Sequence, residues 1–240
     1  MEATYSFYDF NKSIDRISEI LNASDSLYEE KDYIPSRDLL TFSNGFYVNC
    51  SALFVDIRGS KLLNEKHRKP TLAKIYKTYI SEIIAVLRGN QTVHEIFIEG
   101  DCVWAIFNTP NKSDVNHLFE TAACVSSLIE ILNIKYCRKS YSALTVGIGL
   151  SYGQSLYIKS GYKGSGINEA VWIGKLVSEA AKICSYGNKT YDDKEMMVSD
   201  IFYNNLSDDY KKMLSKNYNR SCYHGKVINL TMNEWVKKNS

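Results

Sequence analysis

Apolar residues recur at helical spacing over residues 8–22, where Phe10, Ile14, Ile17 and Leu21 share one face, and this predicts an N-terminal amphipathic helix. The polar stretch 23–44 reads as a connection. From 47 to 56 the pattern changes to an apolar run rich in β-branched and aromatic residues. It ends in Asp56-Ile57-Arg58-Gly59-Ser60, which predicts a strand followed by a turn. Pro70 suits the first turn of a long helix, whose wide apolar stripe runs from Leu72 through Ile75, Tyr79 and Ile83 to Leu87 and ends at Gly89-Asn90.

Residues 93–98 and 102–107, joined by Glu99-Gly100-Asp101, predict a hairpin. A second helix, capped by Ser113, runs to about 132, and 144–150 reads as a strand. The glycine-punctuated stretch 154–173 leads to a third helix over 174–186. A short strand at 196–199, one or two helices over 200–215 and a closing strand at 223–230 complete the pattern. The order is βαββαβ with additions at both ends. It predicts an α+β, ferredoxin-like split βαβ fold: a mostly antiparallel sheet with helices on one face.

Composition narrows the function classes. The chain has 240 residues, 45% of them hydrophobic, as expected of a globular domain with a proper core. A net charge of +2 and the absence of Lys/Arg runs argue against nucleic-acid binding. The six cysteines, Cys50, Cys102, Cys124, Cys137, Cys184 and Cys222, form no metal or disulfide spacing, and most sit in apolar segments. That fits a reducing compartment. The N-terminal Met-Glu-Ala-Thr-Tyr lacks a secretory pattern, and no apolar run predicts a membrane span, so the expectation is a cytoplasmic protein. His67, His94, His117 and His224 have no common spacing, and no role is assigned to them.

Two aspartates carry the candidate chemistry. Asp56 closes an apolar strand and Asp101 sits in a hairpin turn; the βαββαβ order makes these strands neighbours at the sheet centre. Either residue alone also reads as a turn-forming aspartate. Together, at one edge, they suit Mg²⁺ or Mn²⁺, and a metal pair can stabilise both oxygens of a phosphoryl displacement. The backbone amides of Arg58, Gly59 and Ser60, ahead of a helix, are candidates to cradle phosphates.

Four motifs in order resemble the class III nucleotidyl cyclases. Phe54-Val55-Asp56-Ile57-Arg58-Gly59-Ser60 is similar to their first metal motif, and Ile98-Glu99-Gly100-Asp101 to the second. Val146-Gly147-Ile148-Gly149-Leu150-Ser151-Tyr152-Gly153 resembles their central strand. Trp172-Ile173-Gly174 with Val177 and Ala180-Ala181-Lys182 resembles their third helix. The resemblance implies a head-to-tail homodimer with two sites at its interface. Asp56, Asp101 and the Ile57 carbonyl would hold two divalent metals, Mn²⁺ or Mg²⁺, per site. The other subunit would supply Ser178 and Lys182, where family members carry Asn and Arg. These two lie four residues apart on one helix face, and Lys offers a point charge rather than a fork.

At the positions where the family reads the base, this chain has Phe97 and Val171, neither of which can hydrogen-bond a purine edge. That implies a smaller, stacking pocket, and Tyr47 is taken as a further pocket residue. The stretch from Ile158 to Gly174 closely resembles the pyrimidine cyclases of the bacterial Pycsar antiphage system. The implied reaction is CTP or UTP to the 3′,5′-cyclic monophosphate plus pyrophosphate, with the product activating a separate effector. On this reading 1–45 is an N-terminal helical extension, 46–230 the catalytic domain and 231–240 a tail. Three other readings stay open: an adenylyl or guanylyl cyclase with an atypical base pocket, a polymerase-type nucleotidyltransferase, and a silent nucleotide-binding domain.

Overall fold

In the computed structural model, which describes residues 3–240, the chain begins with a helix, α1 (Phe10–Leu21), and a short strand, β1 (Tyr28–Lys31). The predicted βαββαβ unit follows. Its members are β2 (Gly45–Ile57), the short α2 (Ser60–Lys66), α3 (Lys69–Arg88), β3 (Val93–Glu99), β4 (Cys102–Phe107), α4 (Lys112–Cys137) and β5 (Val146–Gly161). After it come β6 (Asn168–Ile173), α5 (Lys175–Cys184), β7 (Met196–Val198), α6 (Asp200–Asn205), α7 (Asp208–Lys211), β8 (Ser215–Asn217), β9 (Cys222–Gly225) and α8 (Leu230–Asn239). The main sheet runs β3-β4-β2-β5-β7-β9-β8, with β1 added in parallel to β2 and β6 paired to β5. Its β3-β4-β2-β5 part has the split-βαβ order.

Alternation along β2 decides what each face buries. Leu53, Val55 and Ile57 point to one side with Val103, Ala105 and Phe107 of β4, and meet Ile75, Tyr79 and Ile83 of α3 and Leu118, Phe119 and Ala122 of α4. Val48, Cys50, Ala52 and Phe54 point to the other side with Trp104 and Ile106, and meet Leu176, Ala180 and Cys184 of α5. The two crossover helices thus share a face as expected, but α5 covers the opposite one. Among the described residues only α4 is long and apolar enough to cross a membrane, and most of its apolar stretch is buried in this core.

Several local expectations are corrected. The glycine-punctuated 154–173 stretch, given no element above, is regular: β5 continues to Gly161 and β6 returns antiparallel, forming an arm. Its tip needs glycine at Gly164 and Gly166, which have φ of 87° and 75°. The polar connection 23–44 contributes β1, and the tail 231–240 is mostly α8, packed on α4. The cap of α4 is Asn111 rather than Ser113; the Asp114 carboxylate accepts from the Asn111 backbone N–H at 2.9 Å. The predicted stripe on α1 forms, yet Phe10, Ile14, Ile17 and Leu21 are all exposed.

The glycines of Val146-Gly147-Ile148-Gly149 exist for contact with α5. A Cβ at Gly149 would lie 2.3 Å from the Ala180 carbonyl oxygen, and one at Gly147 would lie 2.3 Å from that of Cys184. The Cys184 thiol donates to the Gly147 carbonyl at 3.2 Å. Beyond α5, Asp193 takes a two-pronged pair from Arg220 (3.2 and 2.9 Å) and a bond from Asn217 at 3.1 Å, fastening that segment to the β8–β9 hairpin. These bonds hold the Asp193 carboxyl at about 2.

Two stability predictions follow from this packing. Gly149→Ala should force α5 off the sheet and cost ~1–3 kcal/mol, the range for overpacked sites; an unchanged urea midpoint would refute the close-approach account. Glu195 is buried, accepts from Ser126 Oγ at 2.8 Å, and has its carboxyl pushed by burial from 4.5 to about 7. The unfolded carboxyl loses its proton near 4.5 and the folded one only near 7, so Glu195 costs stability as pH rises across that window. Glu195→Gln should therefore be more stable than wild type at pH 8, by on the order of 3 kcal/mol, and no more stable below pH 4.5. Urea unfolding at both pH values reads the difference.

Candidate active site

Asp56 lies one residue from the end of β2, on the α5 face by alternation from Phe54. β4 pairs beside it, Val55 opposite Val103, so the Gly100-Asp101 turn that precedes β4 arrives at the same end of the sheet. Gly100 adopts φ of 65°, which suits glycine in so tight a hairpin. Burial raises the Asp56 carboxyl above the usual range; Arg58 opposes this, and the negative charge of Asp101 adds to it. The two carboxylates therefore sit within each other's field, as the sequence pattern requires.

The Arg58 side chain turns inward. Its Nη2 reaches Asp56 Oδ2 at 2.6 Å and the Asp56 carbonyl at 3.3 Å, while Nη1 reaches the Ser185 carbonyl at 3.1 Å. Its backbone N–H donates to the Thr145 carbonyl at 2.7 Å. That amide is thus spent on the β2–β5 pairing, and the candidate phosphate cradle reduces to Gly59 and Ser60. Gly59 holds φ of 67° as the N-cap of α2, which turns the chain away from the strand end.

Helix α3 backs the site with two tyrosines that the stripe pattern treats only as core. Tyr79 Oη donates to the Val55 carbonyl at 3.2 Å, bracing the strand just before Asp56. The Tyr76 hydroxyl lies in the field of Asp101 and Asp56, and burial above all raises its pKa.

On the same face, four residues before Asp101, Phe97 stacks on Trp104 with ring centroids 4.1 Å apart, and Trp104 stacks on Phe54 at 4.8 Å. Trp104 Nε1 donates to Glu99 Oε1 at 3.1 Å. Val171 does not join this cluster. It pairs with Ile158, whereas its neighbours Ala170 and Trp172 point into the cluster beside Tyr157. Trp172 stacks on Tyr157 at 4.1 Å and donates to Glu95 Oε2 at 2.7 Å; Tyr157 Oη donates to Glu95 Oε1 at 3.2 Å. Glu95 lies two residues before Phe97 on one strand face. That period was the available signal, although a bulge between Val93 and Glu95 obscures it.

Tyr47 is not brought to this group. It sits at the far end of β2, roughly 30 Å from Asp56 at the rise of an extended strand, and on the other face. Ser178 and Lys182 do share a face of α5, and it is the exposed one. Ser178 Oγ bonds its own helix at Lys175, and Lys182 pairs with Glu179 at 3.5 Å, so neither touches Asp56 or Asp101. Both are presented outward on the face that carries the aspartates.

The donor set at the strand ends is two carboxylates and a backbone carbonyl. All are oxygens, as hard divalent cations prefer. Among the described residues no cluster of three or more His, Cys, Asp or Glu side chains suits a metal ion. Such a site therefore needs a carbonyl and substrate phosphates to complete its coordination, a usual arrangement for Mg²⁺.

The adenylate and guanylate cyclase catalytic domain family matches residues 43–228. A uridylate cyclase of Gulbenkiania mobilis is 37% identical over the whole of both chains. A uridylate cyclase of Treponema porcinum is 37% identical over 96% of this chain and 82% of its own. Among solved structures, the adenylyl cyclase CyaB from P. aeruginosa superposes with a TM-score of 0.61 at 18% identity, covering 72% of this chain and 85% of that one. With the paired aspartates at one sheet edge and that fold, the chain belongs to the adenylate and guanylate cyclase catalytic domain family, the class III nucleotidyl cyclases.

Proposed function

We propose that the chain is a uridylate cyclase, converting UTP to 3′,5′-cyclic UMP and pyrophosphate. The observation that carries this reading is the end-to-end match to uridylate cyclases at 37% identity. The base-side geometry supports it. Phe97 is the partly exposed end of a stack on the buried Trp104 and Phe54, so it presents an aromatic ring and no hydrogen-bonding group where a purine reader would stand. The Glu95 carboxylate accepts from Trp172 and Tyr157 and pairs with Arg37 at 3.6 Å, which fixes the two rings beside Phe97.

In the reaction the ribose 3′-oxygen attacks the α-phosphorus in line and pyrophosphate leaves. Two divalent metals, Mn²⁺ or Mg²⁺, bound at the strand ends would supply the positive charge that acidifies the 3′-hydroxyl and balances the leaving group. Asp56, Asp101 and the Ile57 carbonyl hold them. The Gly59 and Ser60 amides, at the turn into α2, donate to the triphosphate. Ser178 and Lys182 meet that triphosphate from a second copy of the chain. Their exposed position on α5 is what a head-to-tail homodimer requires, and Lys182 neutralises charge as the new bond forms.

The same reading makes 46–230 the catalytic unit, 1–45 an N-terminal extension and 231–240 a tail, and it places the enzyme in the cytoplasm. The cyclic product serves a separate effector in antiphage defence. The arm from Ile158 to Gly174, which resembles the Pycsar cyclases, supports that role.

Purified protein incubated with Mn²⁺ and each ribonucleoside triphosphate in turn should give cyclic UMP as the dominant product by mass spectrometry. Cyclic AMP or GMP in its place would overturn the pyrimidine assignment. Asp56→Ala and Asp101→Ala should each lower turnover at least about 100-fold in a chain that still folds, with Asp56→Ala also lowering the melting temperature because the Arg58 guanidinium loses its carboxylate partner; substantial residual activity in either would sink the metal assignment. Phe97→Ala should lower kcat/KM for UTP about tenfold, the order expected for a lost stacking contact, and narrow the preference over ATP. Unaltered discrimination would remove Phe97 from the base pocket.

A further inference from the structure

The Arg58 guanidinium is more deeply engaged than a phosphate-binding arginine should be. Its side chain is only 19% exposed, and its Nε is buried with no partner. One Nη holds the Asp56 carboxylate at 2.6 Å and the other the Ser185 carbonyl at 3.1 Å. Ser185 is the C-cap of α5, where unsatisfied carbonyls concentrate negative charge and favour a cation. Room for this bridge comes from Gly147, where a Cβ would stand 3.2 Å from Arg58 Nη2. One rigid fork therefore ties a metal-binding aspartate to the end of the helix that displays Ser178 and Lys182.

We infer that Arg58 is a positioning residue that couples cation loading at Asp56 to the C-terminal end of α5. The inference rests on the reading of Asp56 as a metal ligand. A divalent cation and the guanidinium compete for the same carboxylate oxygen, and their like charges repel. When the cation takes Oδ2, Arg58 keeps only carbonyl partners, and its hold on Ser185 changes. In the head-to-tail homodimer of the proposed function, where α5 would face a second copy, loading at one site alters the residues offered to the other. The aspartate pair is thus partly neutralised without metal, and α5 is stiffest in that state.

The experiment measures Mn²⁺ affinity by electron paramagnetic resonance on nucleotide-free protein, alongside amide exchange of the last turn of α5 by mass spectrometry. Wild type should show faster exchange around Ser185–Gly187 on adding Mn²⁺. Arg58→Ala should bind Mn²⁺ about 3- to 10-fold more tightly, the order expected for removing one nearby charge from a half-exposed site, and its α5 exchange should be fast with or without Mn²⁺. Arg58→Lys keeps the charge and loses the fork, so its Mn²⁺ affinity should stay within about twofold of wild type while α5 exchanges faster. It also serves if the alanine variant fails to fold. Equal or weaker Mn²⁺ binding in Arg58→Ala, or α5 exchange insensitive to both variants, overturns the coupling. Asp56→Asn separates the two levels. If it loses Mn²⁺ while the Arg58 variants behave as wild type, only the coupling falls; if it binds Mn²⁺ normally, the metal reading falls and the coupling with it.

Discussion

At Gly147 and Gly149 nothing stands between the backbone of β5 and helix α5, and the catalytic face depends on that contact. With the carbonyls of Ala180 and Cys184 where a Cβ would otherwise lie, α5 sits flush on the strand. Its last turn is thereby delivered beside the end of β2. That proximity lets Arg58 span from Asp56 to Ser185, and it fixes the outward display of Ser178 and Lys182. A side chain at either glycine would lift the helix and separate these groups together. The two glycines are therefore a packing device with a catalytic consequence, which a reading of them as flexible points would miss.

The parts of the fold legible in the sequence are those in which one residue period serves one buried face. The α3 stripe, the β3–β4 hairpin and the apolar run of β2 are of this kind, and together they give the βαββαβ order and the meeting of Asp56 with Asp101. The arm was illegible because β5 beyond Gly153 and β6 bury only one mixed face, and glycines at the tip imitate a loop. Register was the other gap. Val171 and Trp172 are adjacent in sequence but point to opposite faces of β6, so it is Trp172 and not Val171 that joins the aromatic cluster, and a one-residue shift in a strand exchanges the faces. The same alternation places Tyr47 opposite Asp56, at the far end of a 13-residue strand. The role of the Arg58 side chain could not be read at all, because its partner Ser185 is contributed by a distant segment.

On the proposed function, the base side of the chain replaces specific hydrogen bonding with shape. A side chain that reads a purine must project a donor or acceptor into the pocket. Here Phe97 projects a ring, already stacked on Trp104, and the nearby carboxylate Glu95 turns away to accept from Trp172 and Tyr157. Both indole N–H groups of the cluster are satisfied, Trp104 by Glu99 and Trp172 by Glu95, so these rings stay fixed at no cost in buried unpaired polar atoms. Stacking tolerates any base, so exclusion of purines has to come from the width between fixed walls. Backbone groups or waters are then left to distinguish among pyrimidines.

The substitutions on α5 fit the same logic. Asn and Arg at positions 178 and 182, the residues that the family resemblance implies there, would reach phosphates with directional bonds and a planar fork. Ser178 is too short for that and bonds its own helix, and Lys182 brings a compact charge on a flexible stem. A point charge demands less exact alignment than a fork but gains more from being placed close to where charge develops. The placement of Lys182 is set by the seat of α5 on the two glycines and by the hold of Arg58 on its last carbonyl. With a flexible, non-directional group on the outer face of the last turn of α5, precision has to come from the inner side of that turn, where the rigid guanidinium and the two missing side chains lie.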